Sequence, residues 1–182
     1  MIKSMLGSIL LAAVCAAPVS AQDIRWQPQT MTPGDYLSID QSMGGPIHHV
    51  FAGRSGKAYV LKSYRGPSPD GTPVFTTFLD RHGNYLRWVR ADGMMIDYRP
   101  HDCKRTAGEC QYRRVFSDGR HEIRTRVTTP TANGFTFKEY DASGNFIFGG
   151  SIELDERGNA GDGHMNGNQG EQVYRVMKRF YQ

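Results

Sequence analysis

Asp162, His164, Asn166 and Asn168 alternate with Gly and Met in the segment 158–170 of this 182-residue chain. Oxygen donors spaced along a Gly-rich loop are what a hard cation such as Ca²⁺ collects. The spacing meets a calcium loop halfway. Asp162, Asn166 and Gly167 fall at its positions 1, 5 and 6, but Val173 stands at position 12, where a bidentate Glu closes the shell. A calcium-binding nonapeptide turn is hinted at in a single copy, and such turns must stack. The segment is therefore read as a polar loop, with Asp162, His164 and Asn166 as its metal candidates.

Other reactive groups fail tests of spacing. His48 and His49 are adjacent, and neighbours on a strand point to opposite faces, so they cannot share a metal there. Gly53-Arg-Ser-Gly-Lys57 has the Gly-Lys pair of a phosphate loop but lacks the earlier glycine and the following Ser or Thr. Ser55 lacks the second glycine of a nucleophile elbow. Asp97 and Asp102 are two carboxylates whose acid–base value depends on a distance that spacing does not give; they are read as surface groups. No catalytic residue and no cofactor are assigned, and the expectation leans away from an enzyme.

The N-terminus carries an address. Lys3 precedes an apolar run from Met5 to Ala17; Pro18 breaks it, and Val19-Ser20-Ala21 offers small residues for cleavage after Ala21. The run is shorter than the ~20 residues a membrane span needs, and Val14 before Cys15 is not the small residue of a lipid-anchor site. Residues 1–21 are thus read as a signal peptide, giving a periplasmic or secreted protein with no membrane span after cleavage. Cys103 and Cys110 remain, and in an oxidising compartment they are expected to form a disulfide. The formal net charge of +4 is spread along the chain, so no nucleic-acid partner is expected.

The elements that must position any site are short strands. Residues 22–35 contain Pro28, Pro33 and Gly34 and read as an extended leader. A single β domain follows over 36–182. Strands are predicted at Tyr36–Asp40, His48–Ala52, Lys57–Tyr64, Val74–Leu79, Tyr85–Arg90, Met94–Tyr98, Gln111–Phe116, His121–Thr128, Phe135–Tyr140, Phe146–Leu154 and Gln172–Phe180. Asp92-Gly93 and Asp118-Gly119 are tight-hairpin pairs. Asp80, Asp141 and Asp155 each open an Asp-x-x-Gly-Asn turn. Alternation gives several strands two faces: Phe135 and Phe137 oppose Thr136 and Lys138, and Ile123 and Val127 oppose Arg120, Glu122, Arg124 and Arg126.

This pattern predicts an all-β antiparallel meander, a curved sheet or small soluble barrel that is lipocalin-like in outline, with one disulfide-stapled loop. The arginine-bearing faces are read as the solvated outside, which also argues against a lipid-facing band. The functional expectation is an exported binding protein that holds a small, partly apolar ligand inside the barrel, with Phe78, Trp88, Phe137 and Phe148 lining the site. The competing expectation is a structural protein that docks on an envelope protein or anionic polymer through a β edge or an Arg-rich face.

Overall fold

Carboxylates hold the turns. In the computed structural model Asp80 Oδ1 accepts from the backbone N–H groups of His82 and Asn84 at 2.7 and 2.9 Å, and Asp80 Oδ2 accepts from Asn84 Nδ2 at 2.8 Å. Asp141 repeats the arrangement with Ser143 and Asn145 at 2.8 and 2.9 Å. The fourth residue of each turn must take positive φ, which is why Gly83 (76°) and Gly144 (82°) stand there. The structure describes residues 28–42, 44–103, 106–155, 160–167 and 170–180. The predicted signal peptide, residues 22–27 of the leader, most of the third Asp-x-x-Gly-Asn turn and Asn168 lie outside the described residues.

These turns join β1 (Tyr36–Gln41), β2 (Ile47–Ser55), β3 (Ala58–Arg65), β4 (Phe75–Leu79), β5 (Tyr85–Arg90) and β6 (Met95–Arg99). The second half adds β7 (Gly108–Phe116), β8 (His121–Thr131), β9 (Gly134–Tyr140), β10 (Phe146–Leu154), β11 (Ala160–Gly167) and β12 (Gly170–Phe180). Each strand pairs antiparallel with the next, and β12 returns to β1 to close a barrel. The chain is all-β, as expected. Every predicted strand is present, with shifts at the ends.

The polar loop expected over 158–170 is instead largely strand. β11 pairs with β10 on one side and β12 on the other. Its glycines disfavour a strand in isolation, but a ladder on each side supplies hydrogen bonds that propensity does not. The close approach of the strands makes glycine necessary here: a Cβ on Gly150 would strike the His164 carbonyl, and one on Gly163 would meet the Ser151 carbonyl.

A second correction concerns the arginines. On β8, Glu122, Arg124, Arg126 and Thr128 point into the barrel, opposite the inward Arg114, Tyr112, Cys110 and Gly108 of β7. Arg126 is only 5 % exposed. Ile123 and Val127 lie on the other, outer face. Alternation separated the two sets, but the inside belongs to the charged one, because each charge finds a partner there. The outer face still carries exposed Lys62, Arg87, Arg113 and Lys138, each within a strand, where a lipid-facing band would be apolar. Among the described residues, no helix is long and apolar enough to cross a membrane.

Apolar packing is distributed around the interior. Phe51, Leu61 and Leu79 form one cluster with Met31 against it, and Ile96, Tyr98, Cys103, Tyr112 and Phe116 form another. Of the predicted leader, residues 28–35 are described, and the segment is anchored at Pro28, Met31 and Asp35. Pro28 is buried, Asp35 is fully buried, and Gly34 N–H donates to the Phe51 carbonyl at 2.9 Å. Cys103 and Cys110 are joined, with Cα atoms 5.4 Å apart. Closing an eight-residue ring restricts the unfolded chain by about 2.5 kcal/mol. The double variant Cys103→Ala/Cys110→Ala is expected to lose at least that much in urea unfolding; a loss well under 1 kcal/mol would show that the link does not constrain the unfolded chain.

Candidate functional site

Two kinds of interior surface meet inside the barrel. The first begins on β4, where Phe75, Thr77 and Leu79 alternate inward. On β5 the register slips between Phe78 and Leu79, so that Tyr85 pairs with Leu79 and Trp88 with Thr77. That irregularity turns both Tyr85 and Trp88 to the same inner face. Tyr98 follows on β6, and the rings sit edge-on or tilted: Phe75 to Trp88 at 5.2 Å and Tyr85 to Tyr98 at 5.8 Å. Across the barrel the wall is made by Ile152 of β10 and by Gly161, Gly163 and Met165 of β11.

Between these walls lies a cavity of about 300 Å³. Its existence follows from width and from glycine. About eight strands give an interior that side chains just fill; this barrel has twelve among the described residues, and β11 presents hydrogens where side chains would otherwise project.

Among the described residues that line the cavity, the polar groups are few and uncharged. Gln41, His49, Thr77, Tyr85 and Tyr98 contribute them. His49 lies between Leu37 of β1 and Ser63 of β3, and its Nδ1 shares a 2.8 Å hydrogen bond with Ser63 Oγ. Burial, reinforced by the nearby His48, lowers its pKa to about 4, so the imidazole is neutral at ordinary pH. Burial likewise pushes the Tyr98 hydroxyl up to about 12 against the opposing charge of Arg114. His48 faces the opposite way, as adjacency requires, with Nδ1 on Ser38 Oγ at 2.6 Å and Nε2 on the Gly66 carbonyl at 2.8 Å.

The second interior surface is ionic. Glu139 of β9 accepts from Arg126 Nη1 and from the Tyr112 hydroxyl, both at 2.8 Å. Arg126 Nε donates to Thr128 Oγ1 at 3.1 Å, and its guanidinium lies 3.9 Å from the centre of the Phe137 ring. Burial and the Glu139 charge push the Tyr112 hydroxyl far up, so it remains a donor. Nearby, Glu122 Oε2 accepts from Arg124 at 2.6 Å and Arg114 at 3.1 Å. Burial raises the Glu122 carboxyl, but the Arg124 hydrogen bond and the charges of Arg114, Arg124 and Arg120 outweigh it and hold the group below the usual range.

The residues proposed from sequence are dispersed. Trp88 lines the cavity. Phe137 and Phe148 pack on each other at 5.8 Å in a neighbouring cluster with Phe135, Ile152 and Met165. Phe78 is on the outer side of β4, in a shallow groove with Leu86, Arg87 and Asp97, and does not line the cavity. Asp162, His164 and Asn166 share the outer face of β11. Asp162 Oδ1 accepts from the Val176 N–H at 2.6 Å, and His164 Nδ1 meets Ser151 Oγ at 2.9 Å. His164 and Asn166 border an outer groove with Lys138, Tyr140 and Phe146. Among the described residues no three His, Cys, Asp or Glu side chains gather as a metal site would need. Asp97 is held by Arg87 at 2.7 Å.

Sequence reasoning missed His49, Phe75, Tyr85 and Tyr98. The opposed faces of His48 and His49 were legible, but which histidine looks inward was not. Comparison with protein-family models, with curated proteins and with solved structures finds no match to this chain.

Proposed function

We propose that this barrel is a binding protein of the periplasm or extracellular space that holds a small, partly apolar molecule in its interior cavity. The observation that carries this reading is the cavity itself. Its volume of about 300 Å³ lies at the small end of ligand pockets, and its wall is mostly aliphatic and aromatic with a few polar groups. The signal-like N-terminus and the disulfide support a location outside the cytoplasm. Docking through a β edge loses its basis, since β1 and β12 pair and close the sheet. Docking through an Arg-rich face is weakened, since Arg124 and Arg126 point inward.

The test is native mass spectrometry of the protein taken from its own compartment, compared with its denatured mass. A mass increment present only under native conditions supports the carrier reading; a bare chain under both conditions counts against it. Trp88→Ala is expected to weaken binding of that molecule by about tenfold or more, since a stacked aromatic contact together with its buried area is worth more than ~1.4 kcal/mol. A variant that loses stability but keeps its affinity would make Trp88 ordinary core.

A further inference from the structure

We infer that the molecule held in the cavity carries an anionic group, a carboxylate or a phosphate, which docks on Arg114 and Arg124 at one end of the barrel. This inference rests on the cavity being the binding site. Three observations lead to it.

The first is a mismatch of partners. Two guanidinium groups share one carboxylate and crowd one of its oxygens. Arg114 Nη1, Arg124 Nε and Arg124 Nη2 all donate to Glu122 Oε2, at 3.1, 3.1 and 2.6 Å. A guanidinium matches a carboxylate best when two parallel N–H groups meet two oxygens, and neither arginine has that arrangement here. Arg114 Nε is buried without a hydrogen-bond partner among the described residues. An anion with two or more oxygens offers the acceptors that this pair lacks.

The second is the charge around the pair. Among the described residues, Glu122 is the carboxylate in ion-pair contact with both arginines. Arg120, which also acts on Glu122, is bonded to Asp118 at 2.7 Å. Asp141 lies in the field of Arg124, but its two oxygens are held by Ser143 and Asn145 of its own turn. The side chains of Arg114 and Arg124 are 25 % and 15 % exposed. Their charge is thus poorly screened, yet an ion can reach it.

The third is position. Arg114 pairs across the sheet with Tyr98, which lines the cavity. In an antiparallel barrel the last residues of odd strands and the first residues of even strands share one end. Glu122 near the start of β8 therefore lies at the same end as Gln41, which closes β1, and Phe75, which opens β4. Both Gln41 and Phe75 line the cavity. The leader occupies the other end, where Met31 precedes β1 and packs on Phe51, Leu61 and Leu79. An amphipathic anion can thus place its apolar body among the rings with its charged head toward the arginines.

Calorimetric titration of the full chain with octanoate, octyl phosphate and octanol tests this, at about pH 7.5, where the carboxylate is ionised. At least one of the two anions should bind saturably and about tenfold or more tighter than octanol, and the tighter anion tells carboxylate from phosphate. Arg114→Gln and Arg124→Gln should each weaken that anion by about tenfold and leave octanol unchanged, which also shows that the variants are folded. Arg114→Lys, which keeps the charge but not the fork, should fall between Arg114→Gln and the parent. Octanol binding as tight as both anions overturns the anionic group. Anion binding undiminished in both Gln variants overturns the role of the arginine pair. In either case octanol binding that Trp88→Ala weakens leaves the cavity reading standing. If none of the three probes binds, the cavity reading falls together with the inference.

Discussion

Glu139→Ala is expected to lower folding stability by about 3–5 kcal/mol, the usual loss when one partner of a buried ion pair is removed. Glu139 is 2 % exposed and Arg126 is 5 % exposed, so neither group can turn to water when its partner goes. The carboxylate also accepts the Tyr112 hydroxyl, so its loss removes an acceptor that two buried groups share. The quadrupole of Phe137 beneath the guanidinium offsets only part of the exposed charge. The double variant Arg126→Met/Glu139→Leu is expected to recover most of the loss, because two apolar side chains need no partner. Guanidinium chloride unfolding followed by circular dichroism measures both. A Glu139→Ala loss under about 1 kcal/mol would mean that water reaches Arg126 and that this layer is not dry.

Phe137→Ala is expected to cost a similar ~3–5 kcal/mol, by cavity formation and loss of ring contacts. Phe137 is 4 % exposed, packs against Phe135 and Phe148 and covers Arg126. Its ligand affinity should nonetheless remain within about twofold of the parent when measured well below its lowered melting temperature, because its side chain belongs to the cluster beside the cavity. Trp88→Ala should show the reverse balance, with a large loss of affinity. The two variants together locate the boundary between packed core and ligand space. Equal losses of affinity in both would place that boundary on the far side of Phe137.

How much of this was legible depended on what each residue had to satisfy. The turns were legible because Asp80 and Asp141 carry their own acceptors and Gly83 and Gly144 their own backbone freedom; nothing distant is required. β9 was legible because Phe135 and Phe137 are apolar and Thr136 and Lys138 are not. β4 was not, since Phe75-Thr-Thr-Phe-Leu offers an aromatic residue to each face, and parity alone cannot choose between Phe75 and Phe78. β8 misled, because local pattern prefers Arg outside; Arg126 is inside only because Glu139, thirteen residues later, is there to meet it. β11 was hidden for a related reason. Its glycine pattern resembles a loop until β10 and β12 bracket it. The cavity is a property of strand number and of the bulge in β5, and no single segment announces either.

The pairing of β1 with β12 has a consequence for the order of events in folding. Tyr36 meets Phe180 and Gln41 meets Tyr174, partners separated by almost the whole described chain. A partly synthesised chain therefore has hairpins to form but no way to seal its sheet. Until the final strand arrives, β1 and the last completed strand both present open ladders, which invite pairing between molecules. Sequential hairpins can assemble quickly, whereas sealing must bridge the longest loop in the molecule and should set the pace. Acquisition of the native state is thus tied to release of the C-terminal strand, and the chain is most vulnerable to aggregation in the interval just before it.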